Sequence, residues 1–210
     1  MEEHVRTASG IDHLNGVMVV VVGPSGAGKD TLLSFAAENL CQRPDVHFVR
    51  RVITRHADAG GESHEGVSDR EFDTRLENGG FSVSWQAHGL KYGIPSNVVD
   101  RLARGHLVVA NGSRSALPHF RSVFPKLKVI NITARPDVLA TRLEQRGRES
   151  RDDILRRLQR SSLTVKGDFD VIEIDNSDDI QRAGAMMIAT LEQSLEMAKS
   201  ISPGNGRVLD

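Results

Sequence analysis

The sequence predicts an α/β fold built on a parallel β-sheet. Apolar segments rich in β-branched residues recur along the chain without polar alternation, which is typical of strands buried on both faces. Segments with helical periodicity lie between them. Strands that alternate with helices pair in parallel through right-handed crossovers, so ligands are expected at the carboxyl ends of the strands.

The clearest strand prediction is the run VMVVVV at 17–22, which is followed directly by GPSGAGKDT at 23–31. The second stretch contains G-x-x-x-x-G-K, the pattern of a phosphate-binding loop, and a helix is predicted from position 31 to 40. Glycines let backbone N–H groups point at phosphate oxygens, and the helix adds the positive end of its dipole. The alternative is a glycine-rich turn without a ligand, which the complete order of strand, loop, lysine and helix disfavours. We expect a nucleoside triphosphate to bind at Gly23, Pro24, Ser25, Gly26, Ala27, Gly28, Lys29, Asp30 and Thr31.

Position 30 departs from the usual loop pattern. The residue after the lysine is commonly Ser or Thr, whose hydroxyl binds magnesium, and here it is Asp30. Thr31 offers a hydroxyl one residue later, and a carboxylate also suits this hard cation. Asp30 and Thr31 are therefore predicted ligands of Mg²⁺. A carboxylate that only stabilises the start of the helix is an equally good interpretation of Asp30.

The remaining elements follow from periodicity, capping residues and turn residues. Strands are predicted at 46–55, 81–85, 106–110, 127–133 and 170–176. Helices are predicted at 69–79, 96–105, 115–124, 135–147, 151–163 and 178–199. Between 56 and 72 the chain is polar and rich in glycine, so we expect a stretch that is mobile or ordered by a ligand.

Length and composition are typical of one globular domain. The 210 residues are 39% hydrophobic and 26% charged, which is enough for a hydrophobic core. A net charge of −1 provides no basic field for nucleic acid or an anionic membrane, and no apolar run reaches membrane-spanning length. The single cysteine, Cys41, excludes an internal disulfide and favours a cytoplasmic location. We expect one domain at 16–199 between flexible tails at 1–15 and 200–210, and a homodimer stays open.

Arginine is concentrated in one part of the chain. Seven arginines lie within nineteen positions: Arg142, Arg146, Arg148, Arg151, Arg156, Arg157 and Arg160. In a chain with a phosphate-binding loop, this density suggests a lid whose guanidinium groups neutralise charge on a phosphoryl group during transfer. The alternative is a solvated helix face that pairs with neighbouring acidic side chains. We favour the lid, although not for all seven arginines.

Several segments together resemble the guanylate kinases. They are GPSGAGK at 23–29, ITR at 53–55, YG at 92–93, RLEQRGR at 142–148 and DFDVIEIDN at 168–176. The resemblance covers roughly residues 17–197 and implies a three-layer P-loop kinase fold, with an acceptor-binding region at about 50–95 and an arginine-rich lid at about 147–165. It implies that Arg55 and Tyr92 bind the acceptor phosphate and that Asn176 lies near adenine. The arginines that it places on the transferring phosphates are Arg142, Arg146 and Arg157.

The departures from that pattern bear on the substrate. Guanylate kinases read guanine with a glutamate where this chain has Ser84, and with acids where it has the stretch 110–112. His64 stands in place of a tyrosine. A closer resemblance is to the ribose 1,5-bisphosphate phosphokinases of bacterial phosphonate breakdown, carried by GPSGAGKD, VITR, SWQAHGLKYG, ANGSR and RLEQRGRE. It implies ATP-dependent phosphorylation of ribose 1,5-bisphosphate to 5-phosphoribosyl 1-diphosphate.

The predicted acceptor is a small phosphorylated sugar, and its ring needs polar partners. Asn111, Ser113, Arg114 and His88 are predicted partners of the ribose, and Arg51 or Arg114 of the second phosphate. Trp85 is either an apolar wall of this site or a plain core residue. Two other functions stay open: a nucleoside monophosphate kinase, which the missing carboxylates disfavour, and a non-catalytic interaction module, which the intact phosphate loop and the arginines disfavour.

Overall fold

The computed structural model describes residues 14–56, 62–145 and 164–201. The strands are β1 (Val17–Val22), β2 (Val46–Phe48), β3 (Val52–Ile53), β4 (Glu65–Gly66), β5 (Phe81–Ala87), β6 (Leu90–Pro95), β7 (Leu107–Asn111), β8 (Leu127–Thr133) and β9 (Asp170–Asp175). The helices are α1 (Lys29–Asn39), α2 (Asp69–Glu77), α3 (Val98–Ala103), α4 (Leu117–Val123), α5 (Pro136–Glu144) and α6 (Ile180–Ile201).

A parallel five-stranded sheet in the order β2-β7-β1-β8-β9 lies at the centre. Every residue of β1 is buried, as expected of the middle strand of a sheet that is covered on both faces. In the register of this sheet, Val21 lies beside Asn111, and Val22 lies beside Asn131. The loop after β1 and the end of β7 therefore meet at the same carboxyl edge.

Two apolar clusters cover the two faces of this sheet. Alternate residues of β1 point to opposite sides, as the two-residue period of a strand requires. Val19 and Val21 pack with residues of α1, α5 and α6, whereas Val20 and Val22 pack with residues of α3 and α4. The arrangement of helix layer, sheet and helix layer confirms the predicted three-layer α/β fold.

The structure also contains a second, mixed sheet that the sequence pattern does not predict. Its order is β4-β3-β6-β5, with β3 parallel to β4 and antiparallel to β6, while β5 and β6 form a hairpin. At the hairpin tip His88 and Gly89 both have positive φ, 53° and 74°, as a tight two-residue turn requires. The second sheet carries most of the region predicted to bind the acceptor.

The single strand predicted at 46–55 is wrong, because this segment forms two strands in different sheets. β2 belongs to the central sheet and β3 to the second one. Val49 still donates a backbone hydrogen bond to Val109, after which the chain leaves the central sheet. The side chain of Arg51 is buried in an ion pair at this crossing. A continuous strand could not reach both sheets.

Other element boundaries shift by a few residues. The helix predicted at 115–124 begins as a 3₁₀ turn, Arg114–Ala116, and continues as α4, with proline in its first turn. The basic helix predicted at 151–163 lies outside the described residues, as do nearly all of the lid and tail segments. Within the described ranges, no helix is both long and apolar enough to cross a membrane.

Candidate active site

The loop between β1 and α1 depends on its glycines. Gly23, Gly26 and Gly28 have φ values of 149°, 87° and 88°, which side-chain-bearing residues rarely adopt. A Cβ on Gly28 would collide with the amide nitrogen of Asn176, and one on Gly23 with the carbonyl oxygen of Ile132. Gly28 is also the N-cap of α1 and has no side chain with which to cap it. The first N–H groups of α1 are therefore suited to an anionic ligand.

Lys29 lies in a half-buried position within this loop. Its ammonium donates hydrogen bonds to the carbonyl oxygens of Gly23, at 2.9 Å, and Pro24, at 3.1 Å. Burial lowers the pKa of Lys29 to about 8. Nearby arginines act in the same direction, whereas nearby carboxylates oppose the shift. A bound polyphosphate would favour the charged form of the lysine, because it brings negative charge to this site.

Four polar side chains connect the loop to the second sheet; we call Asp30, Asn111, Glu62 and Arg51 the junction cluster. The amide nitrogen Nδ2 of Asn111 donates to Asp30 Oδ1 at 2.9 Å and to Glu62 Oε2 at 3.1 Å. Arg51 Nε donates to Glu62 Oε2 at 3.1 Å, and Arg51 Nη2 pairs with Glu62 Oε1. Only 9% of the Arg51 side chain and 13% of the Glu62 side chain are exposed. The cluster is a buried, two-pronged ion pair with an amide bridge to the phosphate loop.

Arg51 also packs on aromatic rings. The rings of Trp85 and Tyr92 stack with their centroids 5.2 Å apart and their planes 8° apart. The guanidinium carbon of Arg51 lies 5.6 Å from the Trp85 centroid and 5.0 Å from that of Tyr92. Trp85 is buried and also contacts Phe120 of the core. Carboxylate and aromatic partners together hold Arg51, one of the two arginines predicted to bind the second phosphate.

Of the two residues predicted to bind the acceptor phosphate, Tyr92 lies on β6 of the second sheet and Arg55 lies just beyond the end of β3. In the register of β3 and β6, Tyr92 lies opposite Ile53. Arg55 follows Ile53 by two residues. Arg55 Nη2 lies 3.4 Å from Nδ1 of His64. The imidazole of His64 is buried, with Nδ1 3.0 Å from the carbonyl oxygen of Glu62 and Nε2 3.2 Å from that of His56. His64 therefore ties together the two chain segments that precede and follow residues 57–61.

The other predicted sugar ligands differ in their positions. Ser113 and Arg114 follow β7 after Gly112, and the Ser113 hydroxyl lies 2.9 Å from that of Ser115. Arg114 is half-buried, and burial lowers its pKa. It lies close enough to influence the ammonium of Lys29. His88 is exposed at the tip of the β5–β6 hairpin, where its positive φ serves the turn.

A cavity of about 320 Å³ opens on the other side of the phosphate loop. It is lined by Gly26, Gly28, Thr31, Arg142, Gln145, Asn176 and Ile180. Asn176 Nδ2 donates to the carbonyl oxygen of Ala27 at 2.8 Å, and Arg142 Nη1 donates to that of Gly26 at 3.4 Å. The structure thus brings these two predicted ligands against the loop. Arg146 and Arg157 lie outside the described residues.

The residues at the start of α1 fit the chemistry of a magnesium ion bound with phosphates. Among the described residues, no three His, Cys, Asp or Glu side chains converge as a metal site. Mg²⁺ commonly takes only one or two protein carboxylates and completes its shell with phosphate oxygens and water. The carboxylate of Asp30 accepts a hydrogen bond from Asn111 within the junction cluster, whereas Thr31 lines the cavity beyond the loop. The two predicted ligands thus offer oxygen atoms on different sides of the loop.

Sequence reasoning missed Glu62. It lies in the polar stretch expected to be mobile or ordered by a ligand, and no motif or periodicity distinguishes it from the acidic residues nearby. Its importance follows from contacts with Arg51 and Asn111, which are 11 and 49 positions away. Only the folded arrangement brings these residues together.

The fold and the site define the class of protein. A parallel sheet with helices on both faces, and a strand, glycine loop and lysine-bearing helix at its carboxyl edge, are the features of a P-loop kinase. A guanylate kinase from Anaplasma phagocytophilum shares the fold, with a TM-score of 0.61 at 19% sequence identity over 91% of this chain and 97% of that one. No model of a protein family matches the chain.

Relatives of known name resolve the family further. The chain is 65% identical over 177 residues to the ribose 1,5-bisphosphate phosphokinase PhnN of Agrobacterium fabrum, covering 84% of this chain and 97% of that protein. It is 60% identical to the PhnN of Rhizobium etli, and 43% identical to that of Brucella melitensis over 89% of this chain and 96% of that one. The chain belongs to the ribose 1,5-bisphosphate phosphokinase family, which confirms the resemblance found in the sequence.

Proposed function

We propose that the chain transfers the γ-phosphate of ATP to ribose 1,5-bisphosphate, in bacterial phosphonate breakdown. The products are 5-phosphoribosyl 1-diphosphate and ADP. The observation that carries the proposal is the family membership, at up to 65% identity, of a chain with an intact Lys29 loop. The absence of guanine-reading carboxylates at Ser84 and Asn111 supports an acceptor without a base.

The reaction requires no general base. An oxygen of the 1-phosphate attacks the γ-phosphorus of ATP, and the bond from that phosphorus to the β-phosphate oxygen breaks, so that ADP leaves with the electron pair. The second pKa of a phosphate monoester is about 6, and the attacking group is therefore largely ionised at neutral pH. What the protein must supply is positioning and charge stabilisation.

Residues on the ATP side have distinct proposed roles. Lys29 and the loop N–H groups hold the β- and γ-phosphates, and Asn176 lies beside adenine. Asp30, with Thr31 as the alternative, is the proposed protein ligand of Mg²⁺, which supplies charge neutralisation on the phosphates when it is bound. The proposed charge-stabilising arginines are Arg142, Arg146 and Arg157, the last two within or beside the proposed lid at about 147–165.

The proposed acceptor site lies in the region 50–95 and at the end of β7. Arg55 and Tyr92 would bind one acceptor phosphate, supported by the pairing of Tyr92 with Ile53, which lies two residues before Arg55. Arg114 follows β7 at the edge that also carries the loop, which suits a ligand of the second phosphate. Ser113 and His88 stay predicted partners of the sugar.

The test is product identification by ³¹P NMR. The purified protein is incubated with ATP, Mg²⁺ and, in separate reactions, ribose 1,5-bisphosphate, ribose 5-phosphate or GMP. The proposal requires that the signal of a sugar diphosphate appear only in the reaction with ribose 1,5-bisphosphate. A Lys29→Ala variant with unchanged circular dichroism controls for contaminating kinases and should lose most of the turnover. A rate on GMP equal to or above that on ribose 1,5-bisphosphate would refute the proposal.

A further inference from the structure

We propose that Glu62 and Asn111 bind the ribose hydroxyls of the acceptor, and that Arg51 positions Glu62 instead of binding a phosphate. The inference rests on the proposed function and names the part of the acceptor that these side chains recognise. The ligand chemistry is the vicinal diol of a furanose ring.

The position of the pair is the first argument. Asn111 ends β7 and lies beside Val21, one residue from the end of β1, so its amide is at the carboxyl edge of the sheet. The same amide bonds to Asp30, the neighbour of Lys29. It also bonds to Glu62, whose partner Arg51 directly precedes β3 of the second sheet. Glu62 and Asn111 therefore lie between the phosphate loop and the second sheet, where the phosphoryl donor and the sugar that accepts the phosphoryl group must meet.

The hydrogen-bonding capacity of the pair is the second argument. Asn111 is 5% exposed, and its Oδ1 atom is buried without a hydrogen-bond donor among the residues that the structure describes. A buried acceptor of this kind requires a donor from a ligand or a water molecule. Oε2 of Glu62 already accepts from Arg51 and Asn111, whereas Oε1 accepts only from Arg51 and can accept a further bond. Two acceptors side by side match two neighbouring hydroxyl groups.

Charge excludes a phosphate as the direct partner of Glu62 and Asn111. A carboxylate and an amide oxygen offer no positive charge to an anion, and Asp30 adds a second carboxylate nearby. Hydroxyl groups are neutral and donate hydrogen bonds, so they suit these acceptors. The ribose ring would thus bind here, while its phosphates contact the cations around it.

The contacts of Arg51 assign it a positioning role. Arg51 bonds to Glu62 through both Nε and Nη2, and two-pronged contacts of this type fix the plane of a carboxylate. Its guanidinium also lies against the rings of Trp85 and Tyr92. A phosphate would have to compete with Glu62 for the edge of Arg51 that carries Nε and Nη2. Of the two arginines predicted for the second phosphate, Arg114 is then the ligand.

The experiment compares kcat/KM for ribose 1,5-bisphosphate and for its 2-deoxy and 3-deoxy analogues. A site that hydrogen-bonds a substrate hydroxyl strongly rejects an analogue without it, so the wild type should prefer ribose by at least about 100-fold. Glu62→Gln keeps the side-chain shape and removes the charge, and it should lower this ratio by about tenfold. Asn111→Ala removes the amide acceptor and should lower the same ratio. Glu65→Gln is the matched control: its carboxylate pairs with Arg75, and the ratio should not change.

Each alternative has its own signature. If the Glu62 and Asn111 variants lose kcat/KM equally on all three substrates, the two residues have a purely structural role and the inference is overturned. A changed Mg²⁺ requirement with an unchanged ratio would assign Glu62 to the metal and overturn it as well, as would a wild type without preference for ribose. Absence of wild-type turnover on ribose 1,5-bisphosphate refutes the proposed function itself. Where Glu62→Gln fails to fold, the Asn111→Ala ratio decides.

Discussion

Replacement of Lys29 by methionine should make the ligand-free protein more stable while it destroys the activity. Burial lowers the pKa of Lys29 from the ordinary value of 10.5 to about 8. Each tenfold loss in proton affinity corresponds to about 1.4 kcal/mol, so the charged ammonium costs the folded state about 3 kcal/mol at neutral pH. Methionine has a similar length and no charge, and it should recover about 1 to 3 kcal/mol of that cost.

The pH dependence gives this prediction a sign that can be checked. Between pH 8 and 10.5 the unfolded chain retains the lysine proton and the folded protein has lost it, so the free energy of unfolding of the wild type rises through this window. The methionine variant lacks this contribution. The difference in free energy of unfolding between the methionine variant and the wild type should be largest below pH 8 and should disappear above pH 10.5.

Urea unfolding of both proteins from pH 7 to 10.5 measures the effect, with the exposed Lys166→Met as the control. ATP should raise the urea concentration at the midpoint of unfolding for the wild type only. A methionine variant that is less stable than the wild type at pH 7 would refute the reasoning. It would mean that the bonds from the ammonium to the loop carbonyls outweigh the cost of burial.

Three further substitutions test other parts of the site. Asp30→Ser should retain ATP binding and change the magnesium dependence of the rate; an unchanged magnesium titration would favour a helix-capping role for Asp30. Arg114→Ala should raise KM for ribose 1,5-bisphosphate at least about tenfold, with ATP binding measured by calorimetry nearly unchanged; equal losses for both substrates would contradict its assignment to the acceptor. Gly28→Ala should lower the free energy of unfolding, measured with urea, by about 1 to 3 kcal/mol and should weaken ATP binding. The reason is that φ of Gly28 is 88° and the added methyl group would meet Asn176. A variant as stable as the wild type would show that the loop adapts.

The parts of the fold that depend on local sequence could be predicted. The run at 17–22 is apolar and β-branched throughout, and the loop glycines are required by their own backbone angles. β8 was predicted with its observed bounds, 127–133. The family resemblance rested on short motifs, and the relatives confirm it.

The parts that depend on contacts between distant residues could not be predicted. The apolar pattern of 46–55 does not reveal that its two halves pair with different sheets, since the partners of β2 and β3 are β7, β4 and β6. The role of Glu62 depends on a buried pairing with Arg51 and Asn111, and a periodicity argument contains no information on such pairings. The arginine-rich lid stays a prediction, because its segment lies outside the described residues.

The hydrogen bond from Asn176 to Ala27 has a consequence for how the protein is made. It joins positions 149 residues apart, and the backbone N–H of Asn176 also bonds to Thr133 in the neighbouring strand. During synthesis the glycine loop leaves the ribosome early, but the residue that braces it follows only after β9. A nascent chain that already carries the complete motif therefore still lacks one wall of the cavity beside its glycine loop. On the proposed function, ATP can be held against that wall only after β9 has been synthesised.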